Sequence, residues 1–366
     1  MMEAYKFDVL VDMILAARLN LPPDRPLHLF GAGHPMTFAL AVALGCDTFD
    51  SAAYAIYARD GRYMTEIGTY RLEELDYLPC NCPICVDKEP QDLLEMPGEE
   101  RERLLAMHNL YVCLRELRAI KQAIKEGCLW DHLALRARSH PSLLRALKKL
   151  AAYSDVIERG TPTARRKGIF IFSSLDMHRP EVVRYRRRLL ERFEPPARDV
   201  LLLLPYTPEK PFSRSPYYEL LLEALSGLGS GARKIHMCLY GLPFGLVPLE
   251  LDQLHPLSQH EFSGPDEGIV RWAVGLTASY VRRRAYQAVV LVSDGNPLAR
   301  ALEGALGRAC ASAGSSFFTL EVEEPWSREG LSSVMAFLSR LLAAGDPSSL
   351  FKRHEVSVGK QGRCGR

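Results

Sequence analysis

The chain has 366 residues, 47% hydrophobic and 25% charged, with a formal net charge of +2. That balance predicts a globular protein of roughly two or three domains and excludes a globally basic nucleic-acid surface, so any such contact must be a local patch. Nine cysteines behind an N-terminus whose apolar pattern carries Asp8 and Asp12 predict a reducing, cytoplasmic setting without a secretory leader or disulfide framework.

Over residues 5–19 the apolar Phe7, Val9, Leu10, Val11, Met13, Ile14 and Leu15 leave Asp8, Asp12 and Arg18 on another face, the pattern of an amphipathic helix. Pro22, Pro23 and Pro26 end it. Residues 27–30 form a short strand running into Gly31-Ala32-Gly33, and His34-Pro35 starts a second helix reaching Leu44, with proline suited to the first turn. Residues 45–50 form a second short strand whose end carries Asp50. Strands alternating with helices give the rhythm of a (β/α) barrel, where catalytic groups sit at the C-terminal ends of strands. Phe30 and Asp50 hold such positions. Each also has a plainer account: Asp50 before Ser-Ala-Ala as a helix N-cap, the glycines as a generic turn, and His34 as a capping residue.

Leu78-Pro-Cys80-Asn-Cys82-Pro-Ile-Cys85 is followed about one helix later by His108. Zn²⁺ prefers four tetrahedral sulfur and nitrogen donors, so Cys80, Cys82, Cys85 and His108 predict one closed Cys₃His site of structural type, with no open position for a reacting water. Cys46, Cys113, Cys128, Cys238, Cys310 and Cys364 lack ligand spacing. A long amphipathic helix over 99–125, stopped by Gly127, precedes two shorter ones over 130–136 and 141–152. Arg136, Arg138, His140, Arg145, Lys148 and Lys149 make a basic stripe there, either a solvated face or a backbone contact for nucleic acid.

Phe30-Gly-Ala-Gly-His34, Gly45-Cys-Asp-Thr-Phe-Asp50-Ser-Ala-Ala-Tyr-Ala55, Tyr77-Leu-Pro-Cys-Asn-Cys-Pro-Ile-Cys85 and Met107-His-Asn109 resemble the C-terminal part of the catalytic domain of archaeal, archaeosine-forming tRNA-guanine transglycosylases. The resemblance implies that Asp50 is the nucleophile. It would attack C1′ of a guanosine ribose in tRNA, guanine would leave, and 7-cyano-7-deazaguanine would take its place. Phe30 and Gly31 would line the base pocket, an aromatic face suiting a deazaguanine. The resemblance covers residues 1 to about 150 and about two barrel strands. The family's general acid/base aspartate and most of its guanine-binding groups have no counterpart here, so either a second polypeptide carries the N-terminal half of the barrel, or the chain is a truncated or degenerate copy whose motif is inherited architecture.

Beyond a polar joint over 161–168, residues 168–173 read as a strand and 179–188 as a strongly basic helix. Arginine at that density suits phosphates, and contact with tRNA is expected. Strand candidates over 200–204, 234–240, 288–293 and 316–322 alternate with helices near 217–228, 265–284, 297–313 and 328–344. Continuous Val/Leu runs between helical crossovers indicate a mainly parallel sheet covered on both faces. The longest apolar run, Val200 to Pro205, falls far short of the roughly 20 residues that span a bilayer, so no membrane association is expected. Loops at strand C-termini, over 205–215, 241–248 and 294–297, are the natural site positions. The first resembles a motif of archaeosine synthases, relatives of the transglycosylases, in which a lysine carries the chemistry. Lys210 keeps that lysine, but Tyr206, Phe212 and Tyr218 stand where cysteine, tyrosine and histidine are expected. A solvent-exposed charge is the simpler role for Lys210.

The expected fold class is α/β: an incomplete (β/α) barrel half with a structural zinc site over 1–150, a doubly wound α/β accessory domain over 151–350, and a basic, disordered tail over 351–366. The expected function is that of a split tRNA-guanine transglycosylase subunit. The alternatives are a non-catalytic tRNA-binding or assembly paralogue and a synthase-like enzyme using Lys210.

Overall fold

In the computed structural model, which describes residues 5–163 and 167–344, the chain divides into two units. One takes the residues up to Lys167 together with His178–Val183, the other Gly168–Met177 and the chain from Arg184 onward. The expected tail over 351–366 and residues 164–166 of the joint lie outside the described residues.

The first unit begins with α1 (Phe7–Asn20), which buries Phe7, Leu10, Val11, Ile14 and Leu15 as its periodicity requires. Two very short strands follow, β1 (His28–Leu29) and β2 (Thr48–Phe49), paired in parallel with His28 opposite Thr48 and Leu29 opposite Phe49. A 3₁₀ turn over Pro35–Thr37 runs between them into α2 (Phe38–Ala43), and the His34 ring caps that turn by accepting the Met36 N–H. After β2 comes α3 (Ala53–Arg59) and then an antiparallel hairpin, β3 (Arg62–Met64) with β4 (Thr69–Arg71). The short α4 (Pro90–Leu94) is held by a reciprocal capping box between Glu89 and Asp92. The long α5 (Gly98–Glu126) ends at Gly127, whose φ of +75° is the left-handed stop expected there. Three helices complete the unit: α6 (Leu129–Ala137), α7 (Pro141–Ala151) and α8 (Ser154–Gly160).

Part of the basic character is structural, which takes Arg136 and Arg179 out of the residues expected to meet nucleic acid. Arg136 donates from Nε and an amino nitrogen to the fully buried Glu116, which also receives His132 at 2.8 Å. Arg179 is fully buried and meets both carboxylate oxygens of Asp131 at 3.0 Å, with Glu181 at 3.1 Å. A guanidinium fork matches a carboxylate bidentately, so buried acids capture these arginines before any external phosphate could. Arg184 is buried as well, whereas Arg186 and Arg188 are exposed.

In the second unit β5 (Ile169–Ile171) precedes α9 (Pro180–Glu191), whose first turn belongs to the first unit. The main sheet takes β6 (Val200–Pro205), β7 (Ile235–Gly241) and β8 (Gly245–Pro248), while β9 (His260–Phe262) pairs in parallel with β5 instead. With β10 (Ala288–Ser293) and β11 (Ser316–Glu321) the order is β11-β10-β6-β7-β8, every pair parallel except β7 with β8. The central strands β6 and β10 are buried at every position, the signature of a sheet covered on both faces. The covering helices pack in pairs, α10 (Pro216–Ser226) with α13 (Arg328–Ala343) and α11 (Glu267–Arg282) with α12 (Pro297–Ala313). Right-handed crossovers put the two pairs on opposite faces, because the connections run one way from β6 and the other way from β10. Residues 245–248, expected within a loop, form β8: Gly245 turns the chain at φ +74° and the following apolar run pairs back on β7.

Candidate active site and metal centre

The ends of β1 and β2 bring Phe30, Gly31 and Asp50 together. Period-two alternation along paired parallel strands sets His28 and Phe30 on the same side as Thr48 and Asp50. The Gly31 N–H donates to Asp50 Oδ1 at 2.8 Å, and His28 Nε2 donates to the same oxygen at 3.2 Å. His28 Nδ1 lies 2.8 Å from the Thr48 hydroxyl, which orients the ring. The Gly31 N–H, and after it His28, hold the Asp50 carboxyl below the usual carboxylate range, so it is ionised at neutral pH. Gly31 reaches this geometry at φ +70°, where a side chain would be strained. Phe30 is 85% exposed, an aromatic ring with no apolar cover beside an anchored carboxylate. Gly33 serves differently: a Cβ there would fall 1.7 Å from Ser51 Oγ, so glycine is what lets the first turn close on the segment after Asp50.

Cys80, Cys82, Cys85 and His108 place one ligand atom each within 4.8 Å of one another. The Cys82 and Cys85 sulfurs are 3.5 Å apart, and His108 Nδ1 lies 3.5 and 3.3 Å from them. Zinc–sulfur bonds of about 2.3 Å imply tetrahedral edges of about 3.8 Å, close to the separations among Cys82, Cys85 and His108. The far ring nitrogen, His108 Nε2, donates to the Met64 carbonyl at 2.9 Å, which leaves Nδ1 as the ligand atom. Tyr63 stacks on the His108 ring at 3.7 Å and its hydroxyl sits 3.4 Å from Cys85 Sγ. Burial first, then the neighbouring Cys82 and Cys80, push the Cys85 thiol up to about 12, and burial takes the His108 imidazole down to about 4. A divalent cation offsets the cost of keeping thiolates in such a place, and the donor set fits zinc.

Asn109, next to that histidine, is buried and fully used. Its Oδ1 accepts the Met64 N–H at 2.8 Å, and its Nδ2 donates to the carbonyls of Tyr54 and Arg62 at 3.1 Å. The Met64 residue is thus gripped through both its N–H and its C=O by neighbours on α5. Lys210, in the second unit, donates from Nζ to the His260 carbonyl at 2.8 Å rather than standing as a free amine.

Residues 1–142 match the family model described as queuine tRNA-ribosyltransferase, and residues 182–338 match a domain of unknown function, DUF5591. A tRNA-guanine(15) transglycosylase of Saccharolobus solfataricus is 42% identical over 299 residues, 80% of this chain and 58% of the relative. Proteins of the same description from Thermococcus kodakarensis and Haloferax volcanii are 55% identical over 188 and 190 residues, about half of this chain and 32% and 36% of those relatives. Residues 1–142 thus carry a domain of the tRNA-guanine transglycosylase family. The chain spans between a third and three fifths of the length of these relatives.

Within this family domain, sequence reasoning missed the roles of His28 and Asn109. A lone histidine inside a short strand carries no signal of its own. Strand parity could have found it, since His28 lies two residues before Phe30 just as Thr48 lies two before Asp50. Asn109 gave no signal apart from its place beside a metal ligand.

Proposed function

We propose that the chain is the part of a tRNA-guanine transglycosylase that supplies the nucleophile. The observation that carries this is Asp50, an ionised and accessible carboxylate anchored through Oδ1 by Gly31 and His28 beside the exposed ring of Phe30. In the first step a carboxylate oxygen forms a bond to C1′ of the target guanosine while the bond from C1′ to the base nitrogen breaks, and guanine leaves with a proton taken from an acid on the remaining strands, which later accepts the proton of the incoming base. In the second, 7-cyano-7-deazaguanine gives up a proton, attacks C1′ and releases the carboxylate. Two inversions return the original anomeric configuration, as in retaining glycosidases. The target base must leave its stack to reach Asp50, and Phe30 offers a replacement face.

We further propose that β1 and β2 are two strands of a larger (β/α) barrel and that a second polypeptide supplies the others. Two strands of two residues are marginal alone. Beside β2 lies a hollow of about 560 Å³ lined by Phe49, Ile120, Ile124, Leu129 and Leu133, apolar surface that favours cover by a further segment. Zinc at Cys80, Cys82, Cys85 and His108 would hold shape and take no chemical step. Thiol ligands of this kind suit the reducing cytoplasm. The bond from Lys210 to the His260 carbonyl speaks against a synthase-like role. The test is exchange of radiolabelled guanine into archaeal tRNA by this chain together with a polypeptide carrying the remaining strands. Activity that requires both and disappears in Asp50→Ala is expected; undiminished exchange by Asp50→Ala would overturn the assignment.

A further inference from the structure

The hairpin of β3 and β4 encloses a second hollow, of about 320 Å³, that neither Asp50 nor the metal centre uses. His34, Met36, Tyr57, Arg62, Gly68 and Thr69 line it. Its inner wall is fixed. His34 accepts the Met36 N–H at 3.2 Å and donates to the Gly68 backbone, and burial keeps its imidazole neutral despite that second bond. Its outer wall is cationic and aromatic, with the Arg62 guanidinium carbon 5.2 Å above the centre of the Tyr57 ring.

Arg62 stands opposite Arg71 in the hairpin register. Like charges directly across a pair of strands destabilise it unless an anion intervenes. Arg71 turns to the Asp60 carbonyl at 2.8 Å, and no carboxylate among the described residues pairs with Arg62. This contrasts with Arg115, Arg136 and Arg179 of the same unit, each of which has an acidic partner. Tyr57 lies four residues into the helix that begins just after Asp50, about 6 Å along its axis at 1.5 Å per residue. A guanidinium on an aromatic face, with a threonine hydroxyl beside it, is arranged to take a phosphodiester together with its nucleoside.

We propose that the hollow at Arg62 and Tyr57 is a subsite for the RNA backbone, holding the phosphodiester of a nucleotide that flanks the one presented to Asp50. This rests on the transglycosylase reading above. Arg62 is a positioning residue that sets which strand geometry reaches the carboxylate; it does not touch the reacting atoms.

The test is binding of a tRNA transcript to the full chain, followed by fluorescence anisotropy at several salt concentrations. Arg62→Gln is expected to weaken binding on the order of tenfold at low salt and to reduce the slope of log K against log salt by about 0.7–0.9, one phosphate contact. Arg308→Gln, an exposed charge on the second unit, should leave the slope within about 0.2 of wild type. In the reconstituted exchange reaction Arg62→Gln should raise KM for tRNA and leave kcat within about twofold. On the unaltered chain, saturating tRNA should protect Arg62 from phenylglyoxal, a readout independent of whether a variant folds. Wild-type binding with unchanged affinity and slope in Arg62→Gln, or labelling of Arg62 unaffected by tRNA, overturns the subsite alone. No binding of tRNA by the wild-type chain together with the polypeptide carrying the remaining strands overturns the transglycosylase reading as well.

Discussion

Asp50 owes its proposed role to its neighbours as much as to its own carboxyl. The Gly31 N–H and the His28 ring both favour the anion, so the folded pKa lies below the ordinary value and the nucleophile stays charged into mildly acidic solution. Removing His28 takes away one of the two donors, the pKa rises, and the anionic fraction is lost at a higher pH on acidification. The acidic limb of the exchange-rate profile of His28→Ala should therefore move to higher pH, while rates above neutrality change less; a limb that stays in place would show that His28 does not tune Asp50. Gly33→Ala should cost about 1–3 kcal/mol in urea unfolding, because the added Cβ would overlap Ser51 Oγ. Asp50 and Phe30 were legible because they close two short strand-like stretches and stand inside the motifs, 30–34 and 45–55, that carry the family resemblance. His28 was not, because its meaning depends on a register that only the paired strands fix.

At the scale of elements, Asn109 joins α5 to β3 and to the carbonyl of Tyr54. Asn109→Ala leaves the Met64 N–H and the carbonyls of Tyr54 and Arg62 without their partner, all beside the metal centre. Loss of about 2–4 kcal/mol on chemical unfolding is expected, with zinc content at first unchanged because all four ligands remain. The long helices could be placed from sequence within a residue or two, since α5, α12 and α13 repeat their apolar spacing over several turns and carry clear stops. The hairpin of β3 and β4 escaped notice. Three-residue strands reading Arg-Tyr-Met and Thr-Tyr-Arg offer too few alternations to rise above a loop, and what holds them is Asn109 and His108, more than forty residues later. The basic helix misled for a related reason: composition counts arginines but cannot tell that Asp131 and Glu181 lie close enough to claim Arg179.

Across the whole molecule the parallel sheet was the most legible feature, because strands buried on both sides must be written as continuous apolar runs. Its edge β8 and the pairing of β5 with β9 were hidden by glycine, proline and polar residues that read as turns. The two units have separate cores and the four metal ligands belong to one of them. Calorimetry should therefore resolve two transitions, of which a chelator lowers one by several degrees and leaves the other in place. A single transition, or a shift of both, would mean that the units are energetically coupled. The grip on Met64 also sets an order of events during folding. Three cysteines within six residues can seize a metal ion while the chain is still largely open, but His108 joins them only when the 23 residues that separate it from Cys85 have closed, and the Met64 carbonyl meets its ring across 44 residues. Refolding in the presence of cobalt(II) should accordingly develop its thiolate absorption early and its ligand-field bands, the mark of the completed tetrahedron, in a later and slower phase.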